Sequence, residues 1–234
     1  GWNKENIGSH IVRNNEISHC EQTGICGSMG AAFSLIENNH IHDIWVKRQF
    51  TGAEIGGIKF HAAVDTRIIH NRIHNAGRSL WLDWMTQGTR VSGNLFYDND
   101  LEDIFLEVNH GPFLVDNNIF ASRRSILEQS QGGAYVHNLI AGDIYRYVEH
   151  GRYTPYFLPH STEVAGLSII PGGDDRYINN LFATTNPVTE GENKRKYGLA
   201  DYNKTVYPMM VEGNVYYNKA LPFEGEKNSV VLPD

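Results

Sequence analysis

The sequence predicts an all-β parallel β-helix, a solenoid in which short strands stack coil upon coil, with loop insertions. Three observations predict this fold. An asparagine-centred pattern recurs along nearly the whole chain, the apolar segments around it are short and alternating, and Gly, Asn or Asp separates them. Leucine-rich repeats are excluded because the Leu-x-x-Leu-x-Leu pattern is missing. Helical repeats need longer periods and a 3.6-residue periodicity that these segments lack.

The repeat consists of an apolar residue, two further residues, an asparagine and then one or two apolar residues. Four of the seven intervals between successive copies are 20 to 24 residues long, which indicates one β-helix coil per copy with insertions in the longer intervals. The repeating asparagines are Asn15, Asn39, Asn71, Asn94, Asn118, Asn138, Asn180 and Asn214.

Asparagine is suited to the corner of such a coil. It tolerates the left-handed backbone region, and its amide can hydrogen-bond to the backbone or to a neighbouring asparagine. Asparagines stacked at one corner are therefore expected to form a ladder along the solenoid.

Residues 42–57 and 143–172 are predicted to be loops that project from the coils, and such loops commonly shape a cleft. We expect residues 1–234 to form a β-helix domain that is a fragment of a longer protein. The repeats begin at once and continue almost to the last residue, so both ends would expose unpaired rungs. The chain also starts without Met or an apolar signal segment.

Composition restricts the partners. The formal net charge of −7 argues against nucleic acid, because a phosphate-binding surface needs clustered Lys and Arg. No run of about 18 apolar residues occurs, so no membrane partner is expected. Cys20 and Cys26 cannot form a disulfide framework for 234 residues. The few cysteines and the missing signal segment favour the cytoplasm, while the compartment and assembly into a homo-oligomer stay open.

Two acidic residues occupy the same position on consecutive coils. Asp83 and Glu107 each lie eleven residues before a repeating asparagine, Asn94 and Asn118, and their flanking residues follow the same pattern. Side chains alternate between faces along a strand, so both acids point outward if the leucine before each points into the core. Because neighbouring rungs are about 4.8 Å apart, the two carboxylates should be roughly 5 Å apart, near the spacing of a retaining glycosidase.

Like charges at this spacing repel, so the pair is expected to divide into a protonated acid and a base. Outward acids can also be merely solvated or can bind Ca²⁺, and the spacing leaves both interpretations open. Trp81, Asn109 and His110 favour a carbohydrate site, because aromatic faces stack on sugars while amides and imidazoles bond to hydroxyls.

The outward column is expected to continue in both directions. His61 aligns with Asp83, and Glu128 aligns with Glu107, if a one-residue slip is allowed in each case. Lys59 would then lie beside the tryptophan of the next coil.

Six short motifs within roughly residues 50–185 are similar to those of one known family. They are Gly52-Ala53-Glu54-Ile55-Gly56-Gly57, Leu80-Trp81-Leu82-Asp83-Trp84, Glu107-Val108-Asn109-His110-Gly111-Pro112, Thr154-Pro155-Tyr156, Pro159-His160-Ser161-Thr162 and Gly172-Gly173-Asp174-Asp175-Arg176. Together they resemble glycoside hydrolase family 120, the β-xylosidases.

The resemblance implies a right-handed parallel β-helix that hydrolyses β-linked xylose from non-reducing ends with retention. It implies that Asp83 is the nucleophile, that Glu107 is the acid/base and that Glu54 belongs to the site. Family members are much longer and carry a second β-rich domain, which leaves the activity of this piece alone open.

We therefore predict a retaining exo-glycosidase, most specifically a β-xylosidase, with an oligosaccharide substrate, no cofactor and no metal. The residues predicted to hold sugar hydroxyls or tune the acids are Glu54, His61, Trp81, Asn109, His110, Glu128 and His160. Two alternatives remain: another β-helix carbohydrate-active enzyme, such as a polysaccharide lyase or a different glycosidase, and a non-catalytic glycan-binding β-helix.

Overall fold

Short strands make up most of the regular structure in this computed structural model, which describes residues 1–49, 54–192 and 194–233. In this part of the chain a single 3₁₀ helix, η1 (Ala200–Lys204), accompanies the strands, and no helix is long and apolar enough to cross a bilayer. The strands, in chain order, are β1 (Ile11–Arg13), β2 (Glu16–Ser18), β3 (Thr23–Ser28), β4 (Leu35–Glu37), β5 (His40–His42), β6 (Gly56–His61), β7 (Arg67–Ile69), β8 (Arg72–His74), β9 (Leu80–Asp83), β10 (Thr89–Ser92), β11 (Leu95–Tyr97), β12 (Ile104–Glu107), β13 (Phe113–Asp116), β14 (Ile119–Phe120), β15 (Arg124–Glu128), β16 (Gly133–Val136), β17 (Leu139–Ile140), β18 (Asp143–Arg146), β19 (Thr154–Phe157), β20 (Val164–Ser168), β21 (Arg176–Ile178), β22 (Leu181–Ala183), β23 (Met210–Glu212), β24 (Val215–Tyr217) and β25 (Val230–Val231).

Three parallel sheets form the walls of a solenoid. The first sheet has the order β1-β4-β7-β10-β13-β16-β21-β23, the second β2-β5-β8-β11-β14-β17-β22-β24-β25, and the third β3-β6-β9-β12-β15-β18. In the first five coils the chain passes from the first sheet to the second and then to the third before it starts the next coil. This is the predicted parallel β-helix, with strands of the same position paired from coil to coil.

The predicted asparagine ladder lies at the corner between the first and second sheets. From Asn15 to Asn180, each side-chain Nδ2 donates to the Oδ1 of the ladder asparagine on the next coil, at 2.9–3.1 Å. The last asparagine, Asn214, donates instead to Glu226 Oε1 at 2.7 Å. From Asn39 onward the Nδ2 group also donates to a backbone carbonyl, so the buried corner amides are paired along the solenoid.

The left-handed residue at this corner is the one before each ladder asparagine, rather than the ladder asparagine itself. These preceding residues have φ between 53° and 69°, and their identities suit that backbone: Asn14, Asn38, His70, Gly93, Asn117, His137, Asn179 and Gly213. In each Asn-Asn pair, the first asparagine therefore adopts the left-handed backbone and the second forms the side-chain ladder.

Apolar side chains fill much of the interior of the solenoid and stack from coil to coil. On the third sheet, Ile58, Leu80, Ile104 and Ile126 are fully buried and pair in register. Each such side chain contributes roughly 1.5–3 kcal/mol on burial. The alternation of inward apolar and outward residues fixes which side chains face the surface.

The two predicted insertions are only partly loops. His42 closes β5 and Gly56 opens β6, so residues 43–49, 54 and 55 form the described part of the first insertion, and residues 50–53 lie outside the described residues. In the second insertion, Asp143–Arg146 is still a coil strand. Thr154–Phe157 and Val164–Ser168 then form an antiparallel hairpin outside the coils. The hairpin and the residues before it are the true insertion.

We expect Asn94→Ala to lower the free energy of unfolding by roughly 3 kcal/mol, because the buried Asn94 amide bonds to both neighbouring coils. Asn15→Ala removes an exposed amide at the end of the same ladder and should cost less than about 1 kcal/mol. Urea unfolding of both variants measures the difference. Equal losses would contradict a stabilising role of the buried ladder.

Candidate active site

Asp83 and Glu107 are the last residues of β9 and β12 and pair directly with each other. The preceding Leu82 and Leu106 are fully buried in the core, so the two acids project from the outer face of the third sheet. Strands that pair in this way are about 4.8 Å apart. The alignment made from the asparagine spacing is therefore confirmed for these two residues.

A positive charge lies against Asp83. Lys59 is fully buried, and its Nζ donates to Asp83 Oδ2 at 2.9 Å and to Glu54 Oε2 at 2.5 Å. His61 Nε2 is 2.9 Å from Asp83 Oδ2, and the backbone N–H of Trp84 donates to Asp83 Oδ1 at 2.8 Å. Both carboxylate oxygens of Asp83 are therefore occupied by hydrogen-bond donors, and a buried ammonium group balances its charge.

Glu107 has a different environment. Burial raises the pKa of Glu107 above its ordinary value, and the negative charge of Asp83 raises it further. Two donors act in the opposite direction: Trp81 Nε1 donates to Glu107 Oε2 at 2.9 Å, and the Arg152 guanidinium donates to Oε1. The two neighbouring carboxyls thus have different surroundings: Asp83 contacts Lys59 and His61, whereas Glu107 contacts Trp81 and Arg152.

A cavity of about 640 Å³ opens over this acid pair, a size typical of small-ligand sites. Its aromatic wall contains Trp81, whose ring stacks on Phe105 at a centroid distance of 5.1 Å. Arg78 lies over Trp81, 4.7 Å from the ring centroid. The same cavity is also lined by Glu54, His61, Trp45, Trp84, Tyr147 and Arg152. Carboxylates, cations and aromatic faces together suit a polar ligand with apolar faces, such as a sugar.

Glu54, His61 and Trp81 therefore line the cavity over the acid pair, as the sequence analysis expected. His61 pairs with Asp83, and Lys59 pairs with Trp81, as the proposed slip required. The contacts of Lys59 with Asp83 and Glu54 were not predicted. Its position in the outward column, beside the acids, was a signal that could have indicated them. Arg152 was missed altogether, because it is distant in sequence from the residue that it contacts.

Glu128 is not in the cavity, which corrects the one-residue slip. It pairs with Leu106 and faces the interior, where it accepts hydrogen bonds from Tyr135 and from the Ser130 N–H. Gln129 lines the cavity instead. Leu106 lies seven residues before Phe113, whereas its partner Glu128 lies five residues before Gly133, the partner of Phe113. The connection is therefore shorter by two residues, and an even change preserves the alternation of faces.

Asn109 is also placed differently from the expectation. It is fully buried at another corner of the coil, where its Nδ2 donates to Leu82 O at 2.9 Å and to Ser130 Oγ at 3.2 Å. Its Oδ1 accepts from the Thr86 N–H at 2.7 Å. With these partners Asn109 fixes the turn that follows Glu107 and does not line the cavity.

His110 and His160 anchor the second insertion rather than line the cavity. His110 Nε2 is 2.9 Å from Thr154 O, and His160 Nδ1 is 2.8 Å from Asp65 Oδ2. Gln87 holds the same hairpin through two hydrogen bonds to the Phe157 backbone, at 2.9 and 3.0 Å. The insertion fastened in this way also carries Arg152 and Tyr147 into the cavity wall.

The family model described as right handed beta helix region matches residues 4–140. The chain belongs to this right-handed β-helix family. The predicted handedness and fold are thereby confirmed, in agreement with the three parallel sheets. Among curated proteins, none matches the chain.

A solved structure of XylC in complex with xylose is similar to this β-helix, with a TM-score of 0.92 and 48% sequence identity. The match covers 99% of this chain and 39% of the XylC chain. It confirms the resemblance that the motifs of residues 50–185 indicated. The chain thus spans well under half of the XylC chain.

We expect Arg152→Met to raise the pKa of Glu107 further, because the guanidinium stabilises the carboxylate form. Titration of the Glu107 carboxyl by carbon-detected NMR measures the shift. The control is Arg90→Met, which removes an arginine that pairs with Asp116 on the first sheet. A Glu107 pKa that is unchanged or lowered in Arg152→Met would contradict the contact.

Proposed function

We propose that this β-helix carries the catalytic site of a retaining glycosidase that releases xylose from the non-reducing ends of β-xylosides. The observation that carries the proposal is the direct pairing of Asp83 with Glu107 on adjacent strands. Both carboxyls line one cavity, and their surroundings differ. Rungs about 4.8 Å apart suit the carboxyl separation of about 5–5.5 Å used in retention, and fall short of the 6.5–9.5 Å used in inversion. The preference for xylose and for chain ends rests on the likeness to the XylC–xylose complex.

The different surroundings of Asp83 and Glu107 support a division of roles between them. Asp83 has Lys59, His61 and a backbone donor against it, which suits an ionised nucleophile. Burial and the charge of Asp83 raise the pKa of Glu107, which suits a proton donor.

In the first step, an Asp83 oxygen bonds to the anomeric carbon while the glycosidic C–O bond breaks. The Glu107 proton passes to the departing oxygen, which leaves as an alcohol. A glycosyl ester on Asp83 and an ionised Glu107 result.

Ester formation removes the negative charge of Asp83, so one of the causes of the raised Glu107 pKa disappears while Arg152 remains. The Glu107 pKa therefore falls, and the group can act as a base. It takes a proton from water, whose oxygen bonds to the anomeric carbon as the bond to Asp83 breaks. Two displacements return the sugar with its original β configuration.

In this proposal Glu54, His61 and Trp81 form the sugar-binding surroundings. The Trp81 ring lines the cavity while its N–H donates to Glu107, and His61 and Glu54 line the same cavity. Asn109, His110, Glu128 and His160 have structural partners instead.

We expect Asp83→Asn and Glu107→Gln each to reduce hydrolysis of an aryl β-xyloside by at least about 10²-fold, since each removes a reacting group. NMR of the wild-type reaction should detect β-xylose as the first product. The matched control is Asp116→Asn, a buried carboxyl on the first sheet outside the cavity, which should retain turnover. An α-configured first product would contradict the nucleophile, and an unsaturated product would indicate a lyase.

Glu107→Gln offers a second measurement. Azide needs no base to attack the glycosyl ester, so azide should restore release of the aryl group and yield β-xylosyl azide. Asp83→Asn should give no β-xylosyl azide, because no glycosyl ester forms. Formation of β-xylosyl azide by Asp83→Asn and not by Glu107→Gln would show that Glu107 is the nucleophile and Asp83 the acid/base.

A further inference from the structure

The outer face of the second sheet carries a cluster of imidazoles on its first coils. His40 and His42 are the outward residues of β5, and His74 is an outward residue of β8. Parallel pairing places Glu16 of β2 beside His40, and His42 beside His74. None of these side chains lines the cavity over Asp83.

The ligand-capable atoms of this cluster are spaced as in a metal site. One such atom from each of Glu16, His40 and His42 lies within 4.8 Å of the other two. His42 Nε2 is 3.2 Å from Glu16 Oε1, and His40 Nε2 is 2.9 Å from His74 Nε2. Metal–ligand distances of about 2.0–2.1 Å place the ligand atoms around a tetrahedral Zn²⁺ about 3.3 Å apart.

Asp43 orients one of these rings. Its Oδ2 lies 2.8 Å from His42 Nδ1, and a carboxylate at this distance favours the tautomer with its proton on Nδ1. The lone pair of a neutral His42 is then directed at the Glu16 carboxylate, an arrangement that needs a proton or a metal ion between the two groups. A carboxylate on the far nitrogen is also the usual outer partner of a metal-bound histidine.

The rings are held in place by stacking. The centroids of His40 and His42 are 4.3 Å apart, and His42 and His74 lie within 6° of parallel. His74 also stacks on Tyr97 at 4.5 Å. The three histidines are half-buried while Glu16 is exposed, so the cluster is ordered yet open on one side.

We propose that Glu16, His40 and His42 bind one divalent transition-metal ion of the Zn²⁺ class, with His74 as a candidate fourth ligand and Asp43 as the orienting group. Imidazole nitrogens with a carboxylate suit Zn²⁺, Ni²⁺ and Cu²⁺, whereas Ca²⁺ and Mg²⁺ prefer oxygen ligands alone. Such an ion would join consecutive coils of the second sheet.

Calorimetric titration of the tag-free, chelator-treated chain with ZnCl₂ tests the site. We expect one ion per chain, and binding at least tenfold weaker in both His40→Gln and His42→Gln. Asp43→Asn keeps the ligands and should weaken binding by about 10- to 100-fold. Zn²⁺ should raise the thermal unfolding temperature of the wild type and not that of His42→Gln.

Two control variants keep the result specific to this cluster. His61→Gln alters a second group of side chains that could hold a metal, formed by Glu54, His61 and Asp83, and His137→Asn alters an exposed histidine at a corner. Both should bind Zn²⁺ as the wild type does. Absence of Zn²⁺ binding by the folded wild type, wild-type affinity in folded His42→Gln, or loss of binding in His61→Gln would overturn the proposal. Thermal unfolding with EDTA present verifies that each variant is folded.

Discussion

The asparagine ladder and the acid pair both require the coils of this protein to stack in a fixed register. The asparagine ladder couples each coil to the next through side-chain amides that bond both to each other and to the backbone. A buried amide left without its partner is costly, so a slipped coil would lose several hydrogen bonds at once. With the register fixed at this corner, Asp83 and Glu107 come to lie on adjacent rungs of another sheet.

Placing two acids on adjacent rungs brings like charges together, and the surrounding residues determine how that repulsion is resolved. Lys59 is fully buried and contacts both Glu54 and Asp83, so its charge is paired rather than isolated. Its ammonium also lies 4.8 Å from the centroid of the Trp81 ring, whose N–H holds Glu107. One compact set of contacts thus pairs the charge of Asp83 with that of Lys59, while burial and the charge of Asp83 raise the pKa of Glu107.

The second insertion connects the fold to the cavity. Gln87, His110 and Asp65 belong to the coils, and each holds a residue of the hairpin region. His110 and His160, which the sequence analysis predicted to contact sugar, therefore anchor this insertion to the coils. That loop brings Arg152 to Glu107 and over the Trp84 ring, where the centroid is 5.1 Å away.

The amino-acid sequence was sufficient to predict the repeat, the corner asparagines, the alternation of faces and the alignment of Asp83 with Glu107. These features are local and periodic, so residue spacing is enough to infer them. The inward position of Glu128 required the three-dimensional fold, because counting residues does not distinguish a turn shortened by two residues from one shortened by one. The burial of Lys59 and the contact of Arg152 with Glu107 also required it. Contacts made by an insertion depend on how that insertion packs, and they leave no period in the sequence.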